Sequence, residues 1–283
     1  MSEQGSSTRD HDGVALVLAG IAAEAGRFLA GIDDRTAGRV TKPDGSSSTA
    51  ADLDSEALIL ARLAAAFPGI PVVAEEGSAT LAAAGLFFLV DPLDGTRDYL
   101  TGAGEYSVNI ALVSGERPVA AALAVPPLGR VWAAGTRAVV AEARPDGEIG
   151  PWRPATVRAC PPDGWVALGS RRHGDAETER CLAALPIARQ VTASSAAKFC
   201  LIASGEADIY VRCGPTMEWD TAAGDHILTR AGGSVTGPDG RALTYGHADR
   251  GYLNGPFVAL ADPARAGDVK LPEVAINPRR ARP

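Results

Sequence analysis

Several residue patterns that define enzyme classes are missing from this sequence, and each gap narrows what the chain can do. Cysteine is sparse: four in 283 residues, at Cys160, Cys181, Cys200 and Cys213. None forms a Cys-x-x-Cys pair, and no Cys/His group has the spacing of a zinc site. Scattered cysteines in a chain of this length predict free thiols in a reducing compartment. The His, Ser and Cys residues show no nucleophile elbow, Walker loop or zincin helix, so no covalent intermediate is expected. The first apolar run, Val14 to Ala23, follows a polar and acidic stretch rather than a basic one, which argues against a secretory signal. No apolar run approaches the roughly 20 residues of a membrane span, and Ala79 to Val90 reads as core. A soluble, cytoplasmic protein with no membrane span is the expectation. Basic charge is also in deficit: the net charge is −7 and the isoelectric point about 5.2. A nucleic-acid polymer is therefore not an expected partner. An acidic protein that handles an anion needs local positive charge, from side chains or from metal.

What is present suits a globular enzyme. Hydrophobic residues make up 46% and charged residues 22%, enough for one large core or two packed halves. Residues 1–12 read as a frayed terminus. Val14 to Ile32 has helical spacing, and residues 35–48 read as a flexible polar loop. Thr49 is placed to cap a helix from Ala50 to Phe67, with Asp52 in its first turn. Pro71 to Ala74 and Leu86 to Val90 are short apolar runs ending in acids, the pattern of buried strands. Tyr106 to Val113, Val119 to Val125, Val131 to Ala134 and Ala138 to Ala141 extend a mostly antiparallel sheet. The Gly/Pro-rich stretch Arg144 to Pro154 marks the best internal boundary. Beyond it, strands at 166–168, 187–191 and 208–212 alternate with helices at 175–185, 195–204 and 221–231, an α/β pattern. The division expected is an α+β half over 13–150, an α/β half over 151–261, and a disordered tail over 262–283.

The chemistry concentrates in Leu89-Val90-Asp91-Pro92-Leu93-Asp94-Gly95-Thr96. An apolar strand runs into two carboxylates three residues apart. A turn through Pro92 and Gly95 would aim both Asp side chains and the Leu93 carbonyl at one point, a set of oxygens suited to a hard cation. Gly95 and Thr96 would present backbone amides to a phosphate. Two Asp residues in a plain solvated turn fit the same residues. Glu75-Glu76 ends a second apolar strand. Asp220, beside Trp219, precedes an apolar helix, where it could equally serve as a helix cap; Asp52 could equally be a first-turn acid favoured by the helix dipole.

The set Thr49-Ala-Ala-Asp52, Glu75-Glu76, Asp91-Pro-Leu-Asp-Gly-Thr96 and Trp219-Asp-Thr-Ala-Ala-Gly224 resembles the inositol monophosphatase superfamily, in order, over roughly residues 14–260. The resemblance implies a layered αβαβα sandwich and a phosphomonoesterase that uses Mg²⁺, as two or three ions, and is often inhibited by Li⁺. It implies metal ligands at Glu75, Asp91, Asp94, Asp220 and the Leu93 carbonyl. Asp52 and Thr96 become the catalytic pair that orients the attacking water, and Glu76 supports Glu75. Gly169-Ser-Arg-Arg-His173, Ser195-x-x-Lys198 and Tyr210-x-Arg212 before Gly214-Pro-Thr further resemble the 3′(2′),5′-bisphosphate nucleotidase branch, linked to sulfur assimilation. There His173, Ser195, Lys198 and Arg212, with Asp94, Gly95, Thr96 and Asp220, would surround a small phosphate ester, a bisphosphate nucleotide. Two cations suit the second dianion of such a substrate. His173 could equally be plain surface, Lys198 a solvated helix residue, and Arg212 the partner of any acid. The sequence departs from the family pattern in lacking Pro-Val before Thr49 and in carrying Arg97-Asp98-Tyr99 where Lys-Glu-Phe is usual. Two alternatives stay open: an inositol or other sugar-phosphate phosphatase, and a metal- or nucleotide-binding module without turnover.

Overall fold

The computed structural model describes residues 10–41, 47–77, 85–102, 104–170 and 175–273. The expectations for most of the N-terminal stretch, for His173 and for the end of the tail lie outside these residues. The chain order is α1 (His11–Ala30), β1 (Val40–Thr41), β2 (Ser47–Ser48), α2 (Ala50–Ala66), β3 (Val72–Ala74), β4 (Leu86–Asp94), α3 (Thr96–Thr101), β5 (Ser107–Ser114), β6 (Arg117–Val125), β7 (Arg130–Ala134), β8 (Ala138–Glu142) and β9 (Arg153–Pro154). It continues through β10 (Trp165–Gly169), α4 (Ala176–Ala183), β11 (Ile187–Thr192), α5 (Ala197–Ala203), β12 (Ile209–Arg212), β13 (Thr216–Met217), α6 (Glu218–Arg230), β14 (Ser234–Thr236), β15 (Leu253–Asn254) and β16 (Phe257–Leu260).

Strands β3 to β9 form one sheet in sequence order. Only the β3–β4 pair is parallel. Alternation along β4 shows why Leu86 to Val90 is apolar at every position. Phe87 and Leu89 face one core cluster, while Phe88 and Val90 face another. On the second face lie Leu18, Ile21 and Leu29 of α1 with Ile59 and Leu63 of α2. On the first lie Phe199 and Ile202 of α5 with Ile227 and Leu228 of α6. Those helices also cover a second sheet, of order β11-β10-β12-β16-β14, through Leu168, Tyr210 and Phe257. The far face of that sheet packs Trp165, Ile209 and Val211 against Leu182 of α4. The layers are thus αβαβα, as expected, and the middle apolar layer draws on both sides of the Gly/Pro-rich stretch. That stretch pairs Ala143 with Ile149 and ends in β9, against β8.

Three expectations need correction. The polar loop before α2 is partly ordered, because β1 and β2 pair antiparallel. Residues after Ala261 are not all tail: Ala266, Val269 and Leu271 pack on the outer cluster, and Arg265 lies 5.4 Å from the Trp165 ring centroid. Helix α1 is long and apolar enough, by length and composition, to cross a membrane. Here its apolar side is spent on the sheet and on α2, with Leu18 and Leu29 fully buried.

Candidate active site

Strand β4 carries the acidic motif on a bulge. Asp91 pairs with Asn109, but the next pair is Asp94 with Ser107, so β4 holds one residue more than its partner. This corrects the expected turn: the strand continues through Pro92 and Leu93, and the chain turns only at Gly95. A bulge re-aims side chains, and Pro92, with no N–H to give, suits a break in the ladder. Gly95 has φ +91°, and a Cβ there would lie 3.2 Å from the Glu105 carbonyl oxygen. The Leu93 N–H donates to Asp91 Oδ1 at 3.0 Å, and the Ser55 hydroxyl donates to the Pro92 carbonyl at 2.9 Å. Helix α2 therefore pins the bulge.

Four acids from three separate parts of the chain meet around this bulge. Asp91 is 1% exposed. Burial holds its carboxyl well above the usual range, and the charges of Glu75, Asp94 and Asp220 push it further. Asp94 is raised to about 6, first by burial and then by Asp220; Lys198, the Ala196 N–H and Arg212 pull the other way. The Glu75 N–H donates to the Val90 carbonyl at 3.3 Å, which sets Glu75 beside the end of β4. Among the described residues, no three His, Cys, Asp or Glu side chains converge into a finished ligand set. Local donors account for part of that. Asp94 Oδ2 accepts from Ala196 N at 2.5 Å. Asp220 Oδ2 accepts from the Thr216 hydroxyl at 2.5 Å and from Met217 N at 3.0 Å. Asp220 is not the helix cap: α6 begins at Glu218, and the Asp220 side chain folds back over the first turn. Gly224 on the same helix lets α5 approach, since a Cβ there would sit 2.4 Å from Phe199.

Asp52 is held from two sides. Its Oδ2 accepts from the backbone and hydroxyl of Thr49, at 2.8 and 2.6 Å, closing a capping box. Its Oδ1 accepts from the Thr96 hydroxyl at 3.1 Å. The same hydroxyl lies 3.2 Å from the Leu93 carbonyl oxygen. Burial raises the Asp52 carboxyl, and Glu76 adds to the rise against the hydrogen bonds from Thr49 and Thr96.

The second half of the chain supplies cations. Lys198 is buried, donates to the Ser195 carbonyl at 2.8 Å, and lies 4.8 Å from the Tyr210 ring centroid. Ser195 holds the left-handed conformation, φ +56°. Arg212 donates to the Pro215 carbonyl at 2.8 Å. Burial opposes its charge, but Tyr210, Asp220 and Asp94 outweigh that and raise its basicity.

Sequence reasoning missed several supports. Glu56, buried one helical turn after Asp52, accepts the Glu76 N–H at 2.9 Å. The Ser48 hydroxyl donates to Glu76 Oε2 at 2.7 Å. Glu105 accepts the Ser194 N–H at 3.1 Å. The four-residue spacing of Asp52 and Glu56 was the available signal; the other two join elements far apart in sequence.

The αβαβα layers with acids gathered at a bulge of β4 are the architecture that the sequence leads one to expect of a phosphatase. Residues 10–266 match the inositol monophosphatase family, and the chain belongs to that family. It is 35% identical to the 3′(2′),5′-bisphosphate nucleotidase CysQ of Escherichia coli K12 over 73% of this chain and 82% of the relative. Against the CysQ of Salmonella typhimurium the figures are 36%, 72% and 81%. The crystal structure of CysQ from Bacteroides thetaiotaomicron superposes with a TM-score of 0.74 at 30% identity, covering 88% of this chain and 97% of that one. An inositol monophosphatase from Anabaena superposes at 0.70 with 23% identity, covering 90% and 93%, and shows the fold alone.

Proposed function

We propose that this phosphatase is a Mg²⁺-dependent 3′(2′),5′-bisphosphate nucleotidase that releases the 3′-phosphate of 3′-phosphoadenosine 5′-phosphate by direct attack of water. The observation that carries the substrate is the placement of two cations by the acidic cluster: Lys198, two residues after the Ala196 N–H that donates to Asp94 at 2.5 Å, and Arg212, at the end of β12 with its side chain on the Pro215 carbonyl. Two cations beside the acidic cluster suit a substrate that keeps a second phosphate. The similarity to CysQ relatives supports the same reading.

The residues present fit a hard cation. Their donors are oxygens, and Asp91 is buried with the charges of Glu75, Asp94 and Asp220 pressing on it. Glu75, Asp91, Asp94, Asp220 and the Leu93 carbonyl would hold Mg²⁺, as two or three ions. Bound there, Mg²⁺ supplies charge neutralisation for the phosphate dianion and acidity to water. The chain's own residues do the rest. The Thr96 hydroxyl donates a hydrogen bond to Asp52 Oδ1, which leaves its oxygen free to accept one from water. As water attacks phosphorus, its proton passes to the Thr96 oxygen while the Thr96 proton passes to Asp52, whose proton affinity is raised. The ester P–O bond breaks, the 3′-oxygen leaves and takes a proton from solvent, and Asp52 later returns its proton to solvent. Lys198 and Arg212 orient the phosphate that stays.

A substrate panel tests this reading. With Mg²⁺, phosphate release from 3′-phosphoadenosine 5′-phosphate should exceed that from inositol 1-phosphate and fructose 1,6-bisphosphate, and Li⁺ should inhibit it. If inositol 1-phosphate is preferred by a wide margin, the nucleotide assignment fails; if nothing is hydrolysed, a binding module is left.

A further inference from the structure

One buried acid of the Glu218-Trp219-Asp220 motif stands outside the chemistry above. Glu218, the first residue of α6, is 0% exposed. Three donors meet its carboxylate, all from a segment nearly 30 residues later. Gly246 N lies 2.5 Å from Oε2, and His247 N and Nδ1 lie 3.1 and 2.6 Å from Oε1. The Glu218 N–H in turn donates to the Tyr252 carbonyl at 2.8 Å. The same segment pairs β15 with β13, and the Asn254 amide donates to the Thr221 hydroxyl at 2.9 Å. The first turn of α6 is thus clasped from outside at 218 and 221, and Asp220 lies between those two residues.

We propose that Glu218 is a positioning residue for Asp220, locking the first turn of α6 to residues 246–254 so that the Asp220 carboxylate faces the acidic cluster. This rests on the cation site proposed above. A carboxylate is required rather than any polar group, because both oxygens accept. In Glu218→Gln the amide group offers a single oxygen, and its NH₂ must face a backbone N–H that has no other partner in this clasp. The turn then shifts, and Asp220 with it.

The test is Mn²⁺ binding, read from the electron paramagnetic resonance signal of the free ion, together with thermal midpoints. Glu218→Gln should weaken Mn²⁺ binding about tenfold, the usual scale for a group that orients a ligand. Asp208→Asn is the control. Asp208 is equally buried, is held by Arg158, and precedes β12 at the end opposite Arg212. It should lower the midpoint and leave Mn²⁺ affinity unchanged. Wild-type Mn²⁺ affinity in Glu218→Gln, or equal weakening in Asp208→Asn, overturns the proposal. Should Glu218→Gln not fold, His247→Ala removes one donor and keeps both backbone bonds. It should give a smaller loss in the same direction, and no loss would overturn the proposal. A wild-type chain that binds no Mn²⁺ overturns the cation site itself, which separates that failure from one confined to Glu218.

Discussion

Asp225 and Asp208 are as deeply buried as Asp91, yet their surroundings are opposite. Asp225 accepts from Arg117 at 2.8 Å and from the Tyr245 hydroxyl at 2.8 Å. Asp208 accepts from Arg158 at 2.8 Å through each oxygen and from Val166 N at 2.7 Å. Asp91 faces Glu75, Asp94 and Asp220 instead. Burial is equal, and the difference lies in the sign of the neighbours. Under the proposed function, the acids left among like charges are the ones that hold the cation, and those tied to arginine hold the fold.

The comparison can be broken by mutation, and the largest effect falls on activity. Asp91→Asn should lower phosphate release by about 10³-fold or more, since several kcal/mol of transition-state stabilisation go with the ligand set. The folded fraction should not fall. Asp225→Leu should do the reverse, costing about 3–5 kcal/mol by stranding Arg117 and leaving activity per folded molecule nearly intact; denaturant unfolding measures it. If Asp225→Leu costs less stability than Asp91→Asn, the contrast is wrong.

A second contrast sets Thr96 and Asp52, the pair proposed to orient water, against the cations. Thr96→Val should reduce kcat about 10²-fold with little change in KM, because a proton-transfer path is lost. Arg212→Gln should act mainly on KM, about tenfold, for a bisphosphate and less for a monophosphate. Steady-state kinetics on both substrates decides, and an equal KM effect on the two would remove Arg212 from the second-phosphate role.

A last contrast concerns pH and a buried base. His226 is pushed down to about 4, first by burial and then by Arg230, with Nε2 against the Gly135 carbonyl. Between about 4 and 6.5 the unfolded chain takes a proton at this site that the folded chain refuses. Stability therefore falls as pH drops through that window, by at most about 3 kcal/mol from this group. His226→Gln should flatten the calorimetric pH profile there, and an unchanged slope would exclude the residue.

Much of this was legible in the sequence, for local reasons. Apolar runs that end in acids gave β3 and β4, and Thr49 with Asp52 gave the start of α2. The bulge was not legible, because it is a mismatch with β5 that the β4 sequence alone does not record. The start of α6 was read three residues late, since Glu218 and Trp219 look like loop residues until Tyr252 and His247 close over them. The arginine clamps on Asp225 and Asp208 span 108 and 50 residues, beyond any local pattern.

The most direct measurement compares thermal unfolding of the wild type and Asp91→Asn, with and without Mg²⁺. Without Mg²⁺, Asp91→Asn should melt above the wild type, because a repelling charge is gone. At about 100 times the dissociation constant, Mg²⁺ should stabilise the wild type by about 2.7 kcal/mol and leave the variant almost unmoved. An equal response to Mg²⁺ in both, or a variant that melts lower without it, would contradict the claim that these acids are gathered to hold a cation.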